Sequence, residues 1–184
     1  MRSIPLKRIY LLKSTAVLTV SFAFLMVLAS YARIHLFFTP VPVTLQTFVL
    51  FLSLILLKGK SYLPQVLYLV MGASGFAVFG NGGSGILYMS GPTGGYLMGF
   101  LAAAFIAGSI AQKAYTVING RLSGYIALFS FANIVIYIFG ISWLVGAYGV
   151  SFRYAFTVGI LPFVAPDIIK IVIAAFVSHK LTRL

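Results

Sequence analysis

The 184-residue chain is 61% hydrophobic and 8% charged, with a mean hydropathy of +1.10, a composition that excludes a water-soluble domain and marks an integral membrane protein. Thirteen Lys/Arg against one acidic residue give a net charge of +12, yet the basic residues sit as short flanks between apolar runs, with no basic stripe to serve nucleic acid. Two His, one carboxylate and no Cys exclude a disulfide frame, a thiolate nucleophile and an ordinary transition-metal centre.

Cutting the chain at charges, Pro and Gly clusters leaves apolar segments at about 14–32, 43–57, 61–79, 94–112, 122–145 and 162–179, within one membrane domain spanning 1–184. The first follows Arg2, Lys7, Arg8 and Lys13, as a signal peptide would, but it is longer than a signal core and lacks a small-x-small exit. It is expected to be a retained helix. The second is short of the roughly 20 residues a bilayer core requires and must borrow from its flanks. All six are expected to be transmembrane helices, because unpaired backbone groups are costly in lipid and the runs do not alternate as barrel strands do. In the fourth, Gly99, Ala103, Ala107 and Ala111 recur four apart, a smooth stripe for packing within this chain or against a partner.

Sorting the basic residues by connection is a test independent of hydropathy. Arg2, Lys7, Arg8, Lys13, Lys58, Lys60, Lys113, Arg121, Lys180 and Arg183 fall on one side, and only Arg33 and Arg153 on the other. The positive-inside rule then predicts an even number of spans in the cell (inner or plasma) membrane, with both termini cytoplasmic. The outer connections are 33–42, 80–93 and 146–160. The second holds Gly80, Gly82, Gly83, Gly85 and Gly91 around Ile86, Leu87, Tyr88 and Met89, too glycine-rich for a regular helix and too apolar for a solvated linker. It is expected to fold back on the bundle and act as a lid.

Asp167, the chain's one acidic residue, and Lys170 both lie in the last apolar run at a spacing that puts them on one helix face. Ionisable groups at membrane depth cost a few kcal/mol and are kept chiefly where they face a cavity or each other, so the pair reads as a site or as a self-neutralising packing element. Pro166 just before Asp167 suits a helix's first turn. Asn81, Thr93 and Tyr96 are polar groups on or beside the glycine-rich loop, and Gln46 is a further ligand candidate at the start of the second span. Thr44 and Thr47, beside it, read as capping or interhelical hydrogen-bonding residues.

Three blocks, VPVTLQTF at 41–48, GPTGGYLMGF at 91–100 and LPFVAPDIIK at 161–170, in this order and spacing, resemble the BioY family of biotin transporters. Weaker stretches around Arg33, at 67–79 and at 137–144 extend the resemblance over most of residues 32–175. The resemblance implies a six-helix substrate-binding (S) component of an energy-coupling factor transporter that captures biotin on the outer side, with Asp167 and Lys170 contacting it. Similar proteins carry a ligand-contacting Asn in the glycine-rich loop. Asn81 is the nearest candidate here, whereas distance from Gly91 points to Gly83. Leu97 stands where one similar protein type has Arg, and Pro166 where the family usually has Gly. With no nucleotide-binding fingerprint in the chain, the implied partners are a transmembrane coupling protein and separate ATPase subunits. Capture is binding, so no enzyme activity and no cofactor are expected. The alternatives are a stand-alone vitamin facilitator and an S component for another small vitamin.

Overall fold

Apolar runs with almost no charge satisfy their backbone groups by coiling, and a computed structural model, describing residues 14–118 and 120–183, has a helix in each of them. Helix α1 is Thr15–Tyr31; β1 (Arg33–Ile34) pairs antiparallel with β2 (Val43–Thr44) in the register Arg33 to Thr44; α2 is Gln46–Leu56 and α3 is Tyr62–Ala73. There follow α4 (Gly85–Met89), α5 (Gly94–Lys113), α6 (Tyr115–Ile118), α7 (Leu122–Tyr148), α8 (Phe152–Gly159) and α9 (Leu161–Leu181). Among the described residues, α5, α7 and α9 are long and apolar enough to cross a membrane. Arg2, Lys7, Arg8 and Lys13 of the charge count lie outside the described residues.

Four local outcomes differ from the sequence reading. The third apolar run leaves the helix at Ala73 rather than 79, because Gly75 takes φ +97° and Phe76 N–H donates back to Met71 C=O while Gly75 N–H donates to Gly72 C=O. That double bond is a Schellman ending, open to glycine at little cost. The connection 146–160 contains α8, started by Ser151, whose hydroxyl accepts from Tyr154 N–H at 3.3 Å. The glycine-rich segment includes a helical turn, α4, between left-handed Asn81 and Gly82 and the next glycines. Finally, α9 starts at Leu161 with Pro162 in its first turn, so Pro166 lies inside the helix, where it supplies no N–H to the preceding turn.

The small-residue stripe of α5 is used up within the chain. Ala103 and Ala107 are fully buried, and a Cβ added at Gly99 would come within 3.1 Å of the Ile136 backbone on α7. Gly95 faces Trp143 and Gly140 faces the Tyr96 ring, each so close that a side chain would collide with the partner. These glycines bring α5 and α7 together over their length, by the close-approach packing seen where lipid gives helices no hydrophobic drive to associate. The outward faces stay apolar: Phe24 and Leu28 on α1, Ile134 and Ile138 on α7, and Ile169, Ile173 and Phe176 on α9 are exposed, a surface suited to acyl chains rather than to water.

Candidate functional site

The cavity sits where α2, α5, α7 and α9 converge beneath the irregular segments. Phe163, Asp167 and Lys170 lie on one face of α9; Tyr96, Leu97 and Phe100 come from α5; Ile136 and Tyr137 come from α7. The strand-to-helix corner adds Val41, Pro42, Thr44, Gln46 and Thr47, and Tyr68, Phe79, Gly80, Tyr88 and Thr93 complete the wall. Phe79 is fully buried, edge-on to Tyr68 and stacked on Tyr88 with ring centres 5.1 Å apart, so the chain beyond α3 returns to the bundle through aromatic contacts. The cavity measures about 60 Å³, so a larger ligand needs the wall to give way.

The polar centre is Asp167, 3% exposed. Its Oδ1 accepts from Lys170 Nζ at 2.8 Å and from Thr47 Oγ1 at 3.4 Å; its Oδ2 accepts from Tyr137 OH at 2.6 Å and from Asn133 Nδ2 at 3.3 Å. Three helices therefore converge on one carboxylate, whose lone pairs are all engaged, two by short bonds and two by long ones. Lys170, 8% exposed and part of the cavity wall, has Asp167 as its hydrogen-bond acceptor, which leaves two N–H groups able to donate to a ligand. Nearby, Gln46 Nε2 donates to Tyr68 OH at 2.9 Å, and Thr44 Oγ1 donates to Gln46 Oε1 at 3.3 Å.

Of the residues singled out from sequence, Asp167, Lys170, Gln46, Thr93 and Tyr96 line this cavity together. Tyr96 presents its ring, since its hydroxyl is committed to Gly159 C=O at 2.8 Å. Asn81 is not in the wall. It belongs to an adjoining hollow with Arg33, His35 and Thr93, and its Oδ1 accepts from the Arg33 guanidinium. Gly83 is outside the wall as well: its Cα lies against the Tyr88 ring, where a Cβ would come within 2.2 Å of it. Asn133, Tyr137 and Tyr68 were not anticipated. Asn133 and Tyr137 are four apart on α7, and an Asn deep in an apolar run is the signal that points to them. No group of three metal-ligating side chains forms among the described residues.

The family model described as the BioY family matches residues 5–184. The chain belongs to the BioY family. Among similar curated proteins, the "Biotin transporter BioY" of Thermotoga maritima is 40% identical over 147 residues, 79% of this chain and 83% of that protein. The "Probable biotin transporter BioY" of Pyrococcus horikoshii is 38% identical over 153 residues, 82% of this chain and 86% of its own length. The Rhizobium etli "Biotin transporter BioY" is 32% identical over 172 residues, 89% and 90% of the two chains. A crystal structure of "the S-component for biotin from an ECF-type ABC transporter" matches with a TM-score of 0.85 over all of this chain and 96% of that one. At 20% identity, that match establishes a shared fold. Together with the apolar helices, these matches make the chain a membrane protein of S-component fold.

Proposed function

We propose that this chain takes up biotin across the membrane as the substrate-capture subunit of an energy-coupling factor transporter, with Asp167, Lys170 and Gln46 as its polar contacts. The observation that carries the proposal is the single buried carboxylate held by donors from three helices at an otherwise aromatic and aliphatic cavity, in a chain of the BioY family. Biotin's ureido ring offers two N–H donors and one carbonyl, and its thioether ring and chain are apolar. Lys170, with N–H groups to spare, donates to the carbonyl. A ureido N–H reaches Asp167 by displacing the long bonds from Thr47 and Asn133, while the shorter bonds from Tyr137 and Lys170 keep the carboxylate aimed. Tyr96, Phe79, Tyr88 and Phe163 enclose the apolar body, and Thr93 lies at the mouth. Capture and transport make and break no bond in the ligand, so the protein works as a transporter and not as an enzyme.

The single domain crosses the membrane six times, through α1, α2, α3, α5, α7 and α9. At 11 and 12 residues, α2 and α3 reach only about 17 Å, and the irregular segments 33–45 and 74–84 complete their crossings. Non-helical backbone at that depth is tolerated where it lines a cavity, as Val41, Pro42, Thr44, Phe79 and Gly80 do. Both termini are cytoplasmic and residues 80–93 form the outer lid. A transmembrane coupling protein and ATPase subunits supply the energy.

Uptake of radiolabelled biotin into vesicles tests this. Vesicles carrying the chain with coupling protein and ATPases accumulate biotin only with ATP inside reach of those subunits. Accumulation by the chain alone supports the stand-alone facilitator, and no accumulation in either preparation contradicts the transport reading.

A further inference from the structure

We propose that Arg33 is the counter-charge for the anionic end of the ligand, fixing it with its neutral polar head at Asp167 and Lys170 and its carboxylate at the mouth beside Asn81. This rests on the capture reading above and deepens it by naming what selects an acid over its neutral derivatives. Three observations carry it.

The first is charge. Within the cavity wall the only ionised groups are Asp167 and Lys170, which neutralise each other at 2.8 Å, so a ligand carboxylate placed there meets a buried anion of its own sign. Asp167 is the chain's one acidic residue, so Arg33 has no carboxylate side chain left to pair with. Its hydrogen-bond acceptor is the neutral Asn81 Oδ1, which leaves most of its five N–H donors for an incoming anion.

The second is placement. The hollow that holds Arg33 and Asn81 shares Pro42, Tyr88 and Thr93 with the ligand cavity, so the two adjoin. The guanidinium lies over Gly80, where an added Cβ would come 2.9 Å from Nη1 and 3.2 Å from Tyr88 OH, and both Gly80 and Tyr88 line the cavity. A side chain at Gly80 would separate the charge from the ligand.

The third is preorganisation. Arg33 is fixed at its backbone by the β1–β2 register, which pairs it with Thr44 of the cavity wall, and at its tip by Asn81. Asn81 holds φ +61°, a conformation that a non-glycine residue adopts at a cost, in the position from which its amide oxygen meets the guanidinium.

The test compares biotin with biotinamide, which is uncharged at the same end, by calorimetry on the detergent-purified chain. Half-buried charge-assisted bonds lie at the low end of their range, so the unmodified chain should prefer biotin by about tenfold. Arg33→Met should abolish that preference by weakening biotin far more than biotinamide, whose amide oxygen makes only a neutral hydrogen bond there, and retained biotinamide binding shows that the variant is folded; Arg33→Lys should keep part of it. Asn81→Gly, which frees the guanidinium without backbone strain, should lower the preference less than Arg33→Met. Raising salt should weaken biotin but not biotinamide in the unmodified chain, a readout that needs no variant. If Arg33→Met weakens both ligands equally, or leaves the preference intact, Arg33 is not the counter-charge and the capture reading stands. If the unmodified chain binds neither ligand, the capture reading falls and this assignment with it.

Discussion

Removing either member of the Asp167–Lys170 pair should destabilise the protein, and by unequal amounts. Stranding one charge of a buried pair commonly costs about 3–5 kcal/mol. In Asp167→Asn, Lys170 at 8% exposure loses its acceptor anion, with only the amide oxygen in its place, so the cost falls in the upper part of that range. In Lys170→Met, Asp167 still accepts from Tyr137 at 2.6 Å, Asn133 at 3.3 Å and Thr47 at 3.4 Å. Each hydrogen bond to a charged group is worth about 1.5–3 kcal/mol, and these three offset part of the loss, which places Lys170→Met in the lower part of the range or beneath it. The double variant Asp167→Asn/Lys170→Met buries no charge and should be the most stable of the three. Thermal unfolding in detergent without ligand gives the order, and biotin calorimetry on the same samples should find binding lost in all three. A Lys170→Met variant less stable than Asp167→Asn would refute the view that the α2 and α7 donors sustain the carboxylate. Normal biotin affinity in the double variant would make the pair a packing element only.

Tyr137→Phe removes the shortest bond to Asp167 with little change of shape, and should weaken biotin binding about tenfold in a direct binding assay while the protein stays folded; unchanged affinity would leave the hydroxyl without a part in orienting the carboxylate. Gly83→Val pushes a side chain into the Tyr88 ring and so disturbs its stack on Phe79. Stopped-flow fluorescence should show slower ligand association and dissociation together, with a smaller loss of equilibrium affinity than Asp167→Asn causes; a loss as large would make the loop part of the binding centre. Hydrogen exchange across 80–93 should fall when biotin is added, and equal exchange with saturating biotin would contradict a lid. Ser84→Cys, the only thiol in such a variant, should react with an impermeant maleimide from outside intact cells, and labelling from the cytoplasmic side alone would invert the topology.

Much of this arrangement is written in exceptions to an apolar background. Asp167 and Lys170 were readable because a carboxylate and an ammonium in one hydrophobic run have few ways to persist, and Gln46, Thr93 and Tyr96 because they flank the irregular segments that meet over the cavity. Asn133 and Tyr137 do not stand out in the sequence because neither carries a charge and α7 holds other uncharged polar residues, among them Ser130 and Ser142. Asn81 is a ligand candidate as the polar residue of the glycine-rich loop and Gly83 by its distance from Gly91, and neither signal says which way the segment turns. Three left-handed residues, Asn81, Gly82 and Gly85, carry both away from the cavity wall. The end of α3 at Ala73 is marked by Gly75, but the apolar residues beyond it mask the stop, since Val78 and Phe79 are buried in non-helical backbone as well as they would be in a helix. The small-residue stripe of α5 was ambiguous from sequence, because the same smooth surface serves a neighbouring helix or a partner protein, and α7 occupies it.

Isothermal titration of the detergent-purified chain with biotin, thiamine and riboflavin tests the central claim most directly. Saturable one-to-one binding of biotin, with no heat from the other two vitamins and none from biotin in Asp167→Asn, is the expected result. Binding of thiamine or riboflavin in preference to biotin, or biotin binding that survives loss of Asp167, would contradict it.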